Sequence, residues 1–298
     1  MPAKPPVYLI DAPIYVFRAY YAIPPDLTDR RGRPANAVYG YTRFLCALLR
    51  DERPDYVAAA FDESLTSSFR NQWYAHYKAN RVEPPQQLAD QFAACRRVTR
   101  ALGVRTFVSP RYEADDLIAT AARRAHRAGH SVVVLSRDKD LAQVLGPGDR
   151  LWDGADGPRM SPAMVERKLG VRPGQVADYL ALVGDAVDNI PGVPGIGPKA
   201  AAAVLAVLGD LDGIFADLDA VARLRIRRAA RVRDLLEAHE DRARLSLRLA
   251  RLDTGSRIRC EPERLRWEGP TPRRVRRAFA ALGFGEGLEA RCLGQGPD

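Results

Sequence analysis

Residues 111–120, RYEADDLIAT, hold three carboxylates in four positions directly before an apolar helical pattern. Six further acids stand in comparable places, at Asp11, Asp62, Asp138, Asp140, Asp185 and Asp188. Carboxylates held close together raise one another's pKa and resist joint ionisation, so a divalent cation commonly lies between them. Oxygen ligands without Cys or His select Mg²⁺ or Mn²⁺. With Glu113, Asp115 and Asp116 these acids number nine, which is more than one ion can bind. The set therefore predicts two Mg²⁺ ions, with Mn²⁺ as a substitute, that clamp a phosphodiester.

The elements that must position these acids alternate along the chain. The apolar runs PVYLI, YVAAAF and SVVVLSR lead into Asp11, Asp62 and Asp138, and VRTFVSP is followed closely by Glu113. Helical patterns occupy 36–50, 86–102 and 114–128, which predicts a parallel α/β sheet. Ligands of such sheets bind outside the carboxyl ends of the strands, where these acids would meet. Singly, each acid could be an ordinary helix cap or a residue favoured by a helix dipole.

A long connection over 63–85 interleaves aromatic and basic side chains, and loops of this length are usually functional or disordered. Aromatic faces stack on unpaired bases while cations follow the backbone of a single strand. We therefore expect this connection to bind single-stranded nucleic acid. The alternative is that its aromatic residues are core. The residues concerned are Phe69, Arg70, Trp73, Tyr74, Tyr77, Lys78 and Arg81.

From about residue 160 helical patterns take over. SPAMVERKLG predicts a helix that starts at a Ser and ends at Gly170, and PGQVADYLALVG predicts a second one that ends at Gly184. The predicted architecture is an α/β parallel-sheet domain over 1–165 followed by a helical domain over 166–298. The arginine-rich stretch 223–251 is typical of a solvated helical face, with direct contact to DNA as the alternative.

The stretch GVPGIGPKAA, residues 192–201, permits two interpretations. On paper it fits the glycine pattern of dinucleotide-binding folds, but it follows a proline-rich turn and no strand. The other interpretation is a helix-hairpin-helix, in which a tight glycine turn and a helix N-terminus face a phosphate and Lys199 adds charge. Contacts of this kind hold a duplex without reading its sequence.

Composition narrows the class of protein. The formal net charge is +9 and only five of the 46 basic residues are Lys, so a nucleic-acid partner is favoured modestly against a bias toward Arg. No apolar run approaches a membrane span, and the N-terminus lacks a signal peptide, which predicts a cytoplasmic protein. The four Cys are scattered, so we expect neither a zinc site nor a disulfide framework.

Taken together and in order, these motifs resemble the 5′-nuclease superfamily, that is, flap endonucleases and the 5′–3′ exonuclease domain of bacterial DNA polymerase I. The motifs are YLIDAPIYVFRAYYA, SFRNQWYAHYKANR, YEADDLIA, LSRDKDLAQV and GDAVDNIPGVPGIGPKAA. The resemblance implies a PIN-like nuclease domain with a helical arch at about 63–100, then a helix-hairpin-helix domain. Two sequence departures, Ala12-Pro13 after the first acid and Ala200 in the hairpin, remove no acid.

The resemblance also assigns roles to residues. All nine acids would surround two metal ions, and Arg18, Lys78 and Arg81 would approach the scissile phosphate. Phe69, Arg70 and Tyr77 would contact the single strand. The hairpin would grip duplex DNA, with a bound K⁺, through Gly192, Gly195, Gly197 and Lys199.

The function expected on this basis is a 5′–3′ exonuclease and flap endonuclease that acts at single-strand/duplex junctions of DNA in replication and repair. Its substrates would be a 5′ flap, a nicked duplex or a 5′-overhang duplex. We expect a stand-alone monomer without a polymerase module, associated with the bacterial nucleoid during repair and with no membrane contact. The alternatives are a PIN-type ribonuclease and a catalytically inactive duplex-DNA-binding protein.

Overall fold

The computed structural model describes residues 4–64, 68–82, 84–154 and 157–294. Its first half is built on a five-stranded sheet with the order β3-β2-β1-β4-β5, in which every strand pair is parallel. The predicted parallel α/β architecture is therefore confirmed. The strands are β1 (Val7–Asp11), β2 (Tyr56–Asp62), β3 (Arg105–Ser109), β4 (Val132–Leu135) and β5 (Arg150–Trp152).

Helices cover both faces of this sheet because successive side chains of a strand point to opposite faces. Tyr8 and Ile10 pack with three helices on one face, while Val7 and Leu9 pack with the fourth helix on the other. The central strand β1 is buried along its whole length, as expected of a parallel sheet. The four helices are α1 (Ala12–Ala22), α2 (Asn36–Glu52), α3 (Gln86–Ala101) and α4 (Ala114–Arg127).

The second half of the described chain is helical, as predicted. The helix from SPAMVERKLG starts at Ser161, whose hydroxyl accepts the N–H of Met164 at 3.3 Å, and it ends at a left-handed Gly170. No helix among the described residues has the length and apolar character that a membrane crossing requires. The helices are α5 (Pro162–Leu169), α6 (Val176–Val183), α7 (Pro198–Leu208), α8 (Leu211–Ala216), α9 (Leu218–Arg223), α10 (Ala229–Ala238), α11 (Glu240–Ala250), α12 (Pro272–Leu282) and α13 (Glu286–Cys292).

The two halves share one apolar core. Buried side chains of α6, α7 and α11 are continuous with those of β1 and α4. The last two helices, α12 and α13, do not stay with the helical half. They return to the sheet and pack on α3 and α2, on the opposite face. The domain boundary at residue 165 stays a prediction. The sequence did not indicate that the last two helices of the predicted second domain pack on helices of the first half.

A disulfide joins Cys46 of α2 to Cys292 of α13, at a sequence separation of 246. The expectation that the Cys form no disulfide was therefore wrong for this pair. Sequence spacing could not reveal it, because only the return of α13 brings the two thiols together. The other two, Cys95 and Cys260, are free and buried.

We predict that this disulfide stabilises the fold by closing a very long loop of the unfolded chain. Substitution of Cys292 by Ser should lower the unfolding free energy by about 2–4 kcal/mol relative to the oxidised protein. The measurement is urea unfolding with and without a reductant. The reductant should weaken the wild type and leave the Cys292→Ser variant unchanged. Equal sensitivity of both proteins would contradict the prediction.

Candidate active site

The carboxyl ends of the strands bring together the first group of predicted acids. Asp11 is the last residue of β1 and directly precedes α1, and Asp62 is the last residue of β2. Glu113 stands at the N-terminus of α4. Asp62 Oδ1 accepts the backbone N–H of Ala114 at 2.7 Å, which ties the end of β2 to the start of α4. The hydroxyl of Ser136 donates to Asp11 Oδ2 at 2.7 Å.

Two further pairs of acids lie on connections beside this edge. Asp138 and Asp140 follow β4, and the N–H of Asp140 donates to Asp138 Oδ1 at 2.9 Å. Asp185 and Asp188 lie after α6, where Asp185 Oδ1 accepts the N–H groups of Val187 (2.7 Å) and Asp188 (3.1 Å). These bonds are local, so each pair is held by its own short segment.

The electrostatics show that these acids form one site. Burial raises the pKa of Asp11 to about 8; the Ser136 hydrogen bond opposes the rise and the charges of Asp138 and Asp62 add to it. Burial and then Asp138 and Asp185 raise the pKa of Asp140 to about 8. Burial and then Asp11 and Asp138 raise the pKa of Asp115 well above its usual range. The charge of a carboxylate on one element therefore raises the pKa of carboxylates on other elements.

Lys78 supplies positive charge at the centre of this group. Its side chain is 9% exposed, its ammonium donates to Glu113 Oε1, and it lies 3.6 Å from Asp188 Oδ2. Its backbone has a left-handed φ of 56°, and its N–H donates to the carbonyl of Asp188 at 3.0 Å. Although burial raises the pKa of Glu113, Lys78 and Arg70 outweigh it and lower that pKa to about 2.

Other cations complete the charge balance. Arg81 pairs with Asp188 at 2.5 Å, and Lys139 pairs with Asp185 at 2.5 Å. Sequence reasoning missed Lys139, although it stands between two of the predicted acids in RDKD. Arg18 on α1 lies over the Tyr15 ring at 5.1 Å, and its buried Nη2 has no hydrogen-bond acceptor among the described residues. That amino group is free to donate to an anion.

The donor chemistry of the site fits divalent metal ions. Only carboxylate oxygens are gathered here, and Asp140 Oδ1 is buried without a hydrogen-bond partner in the described part of the chain. No three Asp, Glu, His or Cys side chains of the described residues are close enough together to surround one ion in this structure. The metal-ligand set stays a prediction.

Asp116 is an exception within that set. It is fully buried, Oδ1 accepts the N–H of Asp253 at 2.8 Å, and Oδ2 accepts the N–H of Glu113 at 3.2 Å. Both oxygens also accept from the guanidinium of Arg70, at 2.8 and 2.9 Å. The role of Asp116 as a metal ligand stays a prediction that this structure does not support, since protein donors occupy both of its oxygens.

Arg70 is likewise a structural residue here. All five of its N–H groups are satisfied: besides the three bonds to Glu113 and Asp116, Nε donates to the carbonyl of Leu249 at 2.9 Å and Nη2 to that of Arg251 at 3.0 Å. Its side chain is 2% exposed. The contact of Arg70 with DNA stays a prediction that this structure does not support, because the guanidinium has no free donor and almost no exposed surface.

Phe69 and Tyr77, the two aromatic residues predicted to contact DNA, are buried, with 7% and 3% of their surface exposed. Phe69 packs edge-on against Trp73 and Tyr112, and the Tyr77 hydroxyl lies 3.1 Å from Asp188 Oδ2. The alternative that these aromatics are core was the right one. Trp73 is 40% exposed, with Arg248 over its ring at 4.4 Å, and remains accessible to a base.

The predicted arch over 63–100 is shorter in the structure. Residues 65–67 and 83 lie outside the described residues. From Gln86 the chain is α3, which packs on α2 and buries Leu88, Phe92, Cys95 and Val98. The helical spacing of these apolar residues in the sequence was a signal for a buried helix. The second half of the predicted arch is therefore the packed helix α3, which buries one of its faces in the core.

The glycine-rich stretch forms an exposed hairpin between α6 and α7, with no strand before it. The dinucleotide-fold alternative is therefore excluded. Gly192 has φ 58°, and a Cβ there would lie 2.4 Å from the backbone N of Gly184, so only glycine fits. Gly195, Gly197 and Lys199 are exposed, as a contact surface requires. Arg242 of α11 donates to the carbonyl of Gly192 at 2.8 Å and was not singled out from the sequence.

Comparison with known proteins matches two families to this chain. Residues 6–170 match the family described as 5'-3' exonuclease, N-terminal resolvase-like domain, and residues 171–273 match 5'-3' exonuclease, C-terminal SAM fold. A 5'-3' exonuclease of Aquifex aeolicus is 32% identical over 276 residues, which cover 93% of this chain and 91% of that protein. DNA polymerase I of Rhizobium leguminosarum is 39% identical over 255 residues, 83% of this chain. The chain spans only 24% of that polymerase.

Among solved structures, the fold is similar to that of a bacteriophage T5 flap endonuclease in a pseudo-enzyme-product complex with DNA and metal ions. The TM-score is 0.61 and the sequence identity is 19%, with 97% of this chain and 96% of that chain covered. At this identity the likeness establishes the shared fold.

We predict that Arg70 holds the site together through Asp116. Arg70→Met leaves a buried carboxylate without its cation and should lower the unfolding free energy by about 3–5 kcal/mol. Arg233→Met, which breaks exposed ion pairs on α10, should cost less than about 1 kcal/mol. The measurement is urea unfolding. Adding Asp116→Asn to Arg70→Met should recover part of the loss. A loss below about 1 kcal/mol for Arg70→Met would contradict the role.

We predict that the metal-free protein loses stability as pH rises. The folded pKa values of Asp11 and Asp140, about 8, and of Asp62, about 6, exceed the ordinary value near 3.9. The folded state then holds protons that the unfolded chain has released. The unfolding free energy should therefore fall from about pH 5 to about pH 8, by up to ~1.4 kcal/mol per pH unit for each group. Urea unfolding in EDTA measures this slope.

The control for the pH slope is Asp11→Asn, which removes one titrating carboxyl and can still accept the Ser136 hydrogen bond. Its slope should be flatter than that of the wild type over the same pH range. A wild-type stability that rose with pH over this range would contradict the prediction.

Proposed function

Since this chain belongs to the 5′–3′ exonuclease family, we propose that it is a metal-dependent, structure-specific nuclease that hydrolyses DNA phosphodiester bonds at single-strand/duplex junctions. It removes 5′ flaps by endonuclease cleavage and degrades nicked or 5′-overhang duplexes stepwise. The observation that carries the proposal is the group of carboxylates that raise one another's pKa around the cation of Lys78. Such an arrangement suits the transfer of a negatively charged phosphoryl group.

The acids are proposed to hold two Mg²⁺ ions, which Mn²⁺ can replace, and Asp116 is left out of this set. When bound, the ions supply Lewis-acid stabilisation of the charge that develops on the phosphate oxygens. The protein's own contribution is to keep the acids oriented before the substrate arrives. The proposed ligands are Asp11, Asp62, Glu113, Asp115, Asp138, Asp140, Asp185 and Asp188.

The basic residues beside the acids would hold the phosphate to be cut. The backbone of Lys78 is bonded to the Asp188 carbonyl, and its buried ammonium is paired with Glu113, which keeps the cation among the acids. Arg81 reaches the same group from a half-exposed position, where a phosphate can approach it. The free Nη2 of Arg18 supplies a third donor. Cations already in place can bind the phosphate with little reorganisation.

The hairpin at 192–199 is proposed to grip the duplex through backbone N–H groups, Lys199 and a bound K⁺. It follows the acid-bearing segment 185–190 after only one residue, and Asp185 and Ile190 are paired by two backbone hydrogen bonds at 2.9 and 2.8 Å. The duplex would therefore be held at a fixed distance from the acids. Phosphate contacts of this kind carry no sequence information, so cleavage should depend on the shape of the DNA.

The single strand would leave on the side of the 68–82 connection, past the exposed ring of Trp73 and the guanidinium of Arg248. This replaces the contacts expected of Phe69, Arg70 and Tyr77. One copy of the chain carries all of these residues, so the enzyme is proposed to act as a monomer. Its role would be in replication and repair, on the bacterial nucleoid within the cytoplasm.

We predict cleavage within about one or two nucleotides of the single-strand/duplex boundary of a 5′ flap, because the strand and the duplex are held on either side of the acids. Cleavage should require Mg²⁺ or Mn²⁺ and stop in EDTA. The measurement is product mapping of labelled flaps of several lengths on a denaturing gel. Cuts at a constant distance from the free 5′ end would contradict this geometry.

The matched control is the double variant Asp185→Asn/Asp188→Asn, which keeps side-chain oxygens but removes two charges. It should bind the flap as tightly as the wild type or more tightly. Its cleavage rate should fall by at least about 100-fold, because loss of metal ligands costs several kcal/mol of transition-state stabilisation. Binding without any cleavage by the wild type would favour an inactive DNA-binding protein. Preferential cleavage of single-stranded RNA would favour a PIN-type ribonuclease.

A further inference from the structure

A groove between α3 and α12 lies at the end of the sheet opposite to the acids. The last turn of α3 leads into β3, so it stands near the amino ends of the strands. The segment before α12 reaches the same end, because the N–H of Trp267 donates to the carbonyl of Asp55, just ahead of β2. The acids stand at the carboxyl ends. A substrate junction bound there would not occupy this groove.

The two helices carry four exposed arginines on the rim of the groove, Arg97 and Arg100 on α3 and Arg274 and Arg277 on α12, while a fifth rim arginine, Arg33, is paired with Asp29. None of the four has an ion-pair partner among the described residues, and no acid lines this cavity of about 480 Å³. The neighbouring Arg276 differs, since it pairs with Glu289 of α13. Like charges at helical spacing repel one another. An anionic occupant would relieve that repulsion.

The floor of the groove is apolar. Val98 and Ala101 come from α3, and Ala278 and Leu282 come from α12. A phosphate backbone would neutralise the rim but leave this floor uncovered, and a duplex is far wider than a groove between two helices. The occupant must therefore combine carboxylates with apolar side chains, as an amphipathic peptide does.

The shape of the groove also favours a peptide over a compact ligand. A second cavity of about 390 Å³ continues along α3, past Arg33, to Gln87 and Asp90. The two cavities together follow α3 over about 20 Å, given 1.5 Å per helical residue. The far end carries the exposed acid Asp90 near Arg33, whereas the α12 end carries arginines without acids, so the groove has a polarity. An acidic segment would place its carboxylates at the α12 end.

We propose that this groove is a docking site for an acidic, amphipathic segment of a partner protein. Its apolar side chains would cover the floor between α3 and α12, and its carboxylates would pair with the four rim arginines. This inference does not rest on the proposed nuclease activity, because the groove shares no residue with the active site.

The probe for the test is a short fluorescein-labelled peptide that carries Leu and Phe between pairs of Asp. Fluorescence anisotropy measures its affinity for the full-length protein. The control peptide replaces every Asp by Asn. Two double variants reverse the charge on opposite walls of the groove, R274E/R277E on α12 and R97E/R100E on α3. R127E/R273E makes the same change of net charge at exposed positions outside the rim.

We expect the acidic peptide to bind the wild type with a Kd below about 100 μM, and each rim variant to weaken binding at least ~10-fold. The Asn peptide should bind more weakly by a similar factor, and R127E/R273E should bind like the wild type. All variants should keep the wild-type thermal unfolding midpoint and flap cleavage rate. Because the two rim variants change different helices, a similar loss of affinity in both would not be explained by a folding defect in one of them.

Three outcomes would overturn the proposal. The wild type could fail to bind the acidic peptide at about 100 μM. The control variant R127E/R273E could weaken binding as much as the rim variants, which would assign the effect to net charge. The rim variants could also reduce affinity for flap or duplex DNA by as much as for the peptide, which would assign the groove to nucleic acid.

Discussion

Repulsion between carboxylates that share a small buried volume is the constraint on which the rest of the structure depends. The fold brings acids from two strand ends, one helix start and two connections to one edge of a sheet. It then sets Lys78, Arg81 and Lys139 among them as counter-charges. Without those cations the metal-free protein would hold a concentration of negative charge that favours unfolding. Two of these cations, Lys78 and Arg81, are also the ones proposed to hold the phosphate that is cut.

Arg70 extends this balance beyond the site. Its guanidinium joins the start of α4 to the main-chain carbonyls that end α11, so the catalytic edge and the helical half are fixed by one side chain. The continuous apolar core has the same effect on a larger scale. Because the hairpin belongs to that helical half, its distance from the acids is set by the packed interior of the protein.

Much of the fold and the site could be predicted from the sequence, because an apolar run that ends in an acid can be recognised locally as a strand with the acid at its carboxyl end. Asp11 and Asp62 follow apolar runs whose carboxyl ends must lie at one edge of a parallel sheet. The different surroundings of the adjacent Asp115 and Asp116 could not be predicted. The donors that surround Asp116 belong to Arg70 and Asp253, which are distant in the chain. The burial of Phe69 and Tyr77 was missed for a related reason. Residues that are buried by distant segments need not follow an apolar periodicity in the sequence. The Cys46–Cys292 bond likewise depends on the return of the last helix.

The bonds from Arg70 to the carbonyls of Leu249 and Arg251 have a consequence for biosynthesis. A ribosome makes the acids of residues 11–116 well before the two carbonyl acceptors, which lie 179 and 181 residues after Arg70 in the chain. A nascent chain that ends before Leu249 contains the acids of the first half but lacks the carbonyls of Leu249 and Arg251. In such a chain the guanidinium of Arg70 would keep only its bonds to Glu113 and Asp116, and the start of α4 would lose this hydrogen-bonded link to the end of α11.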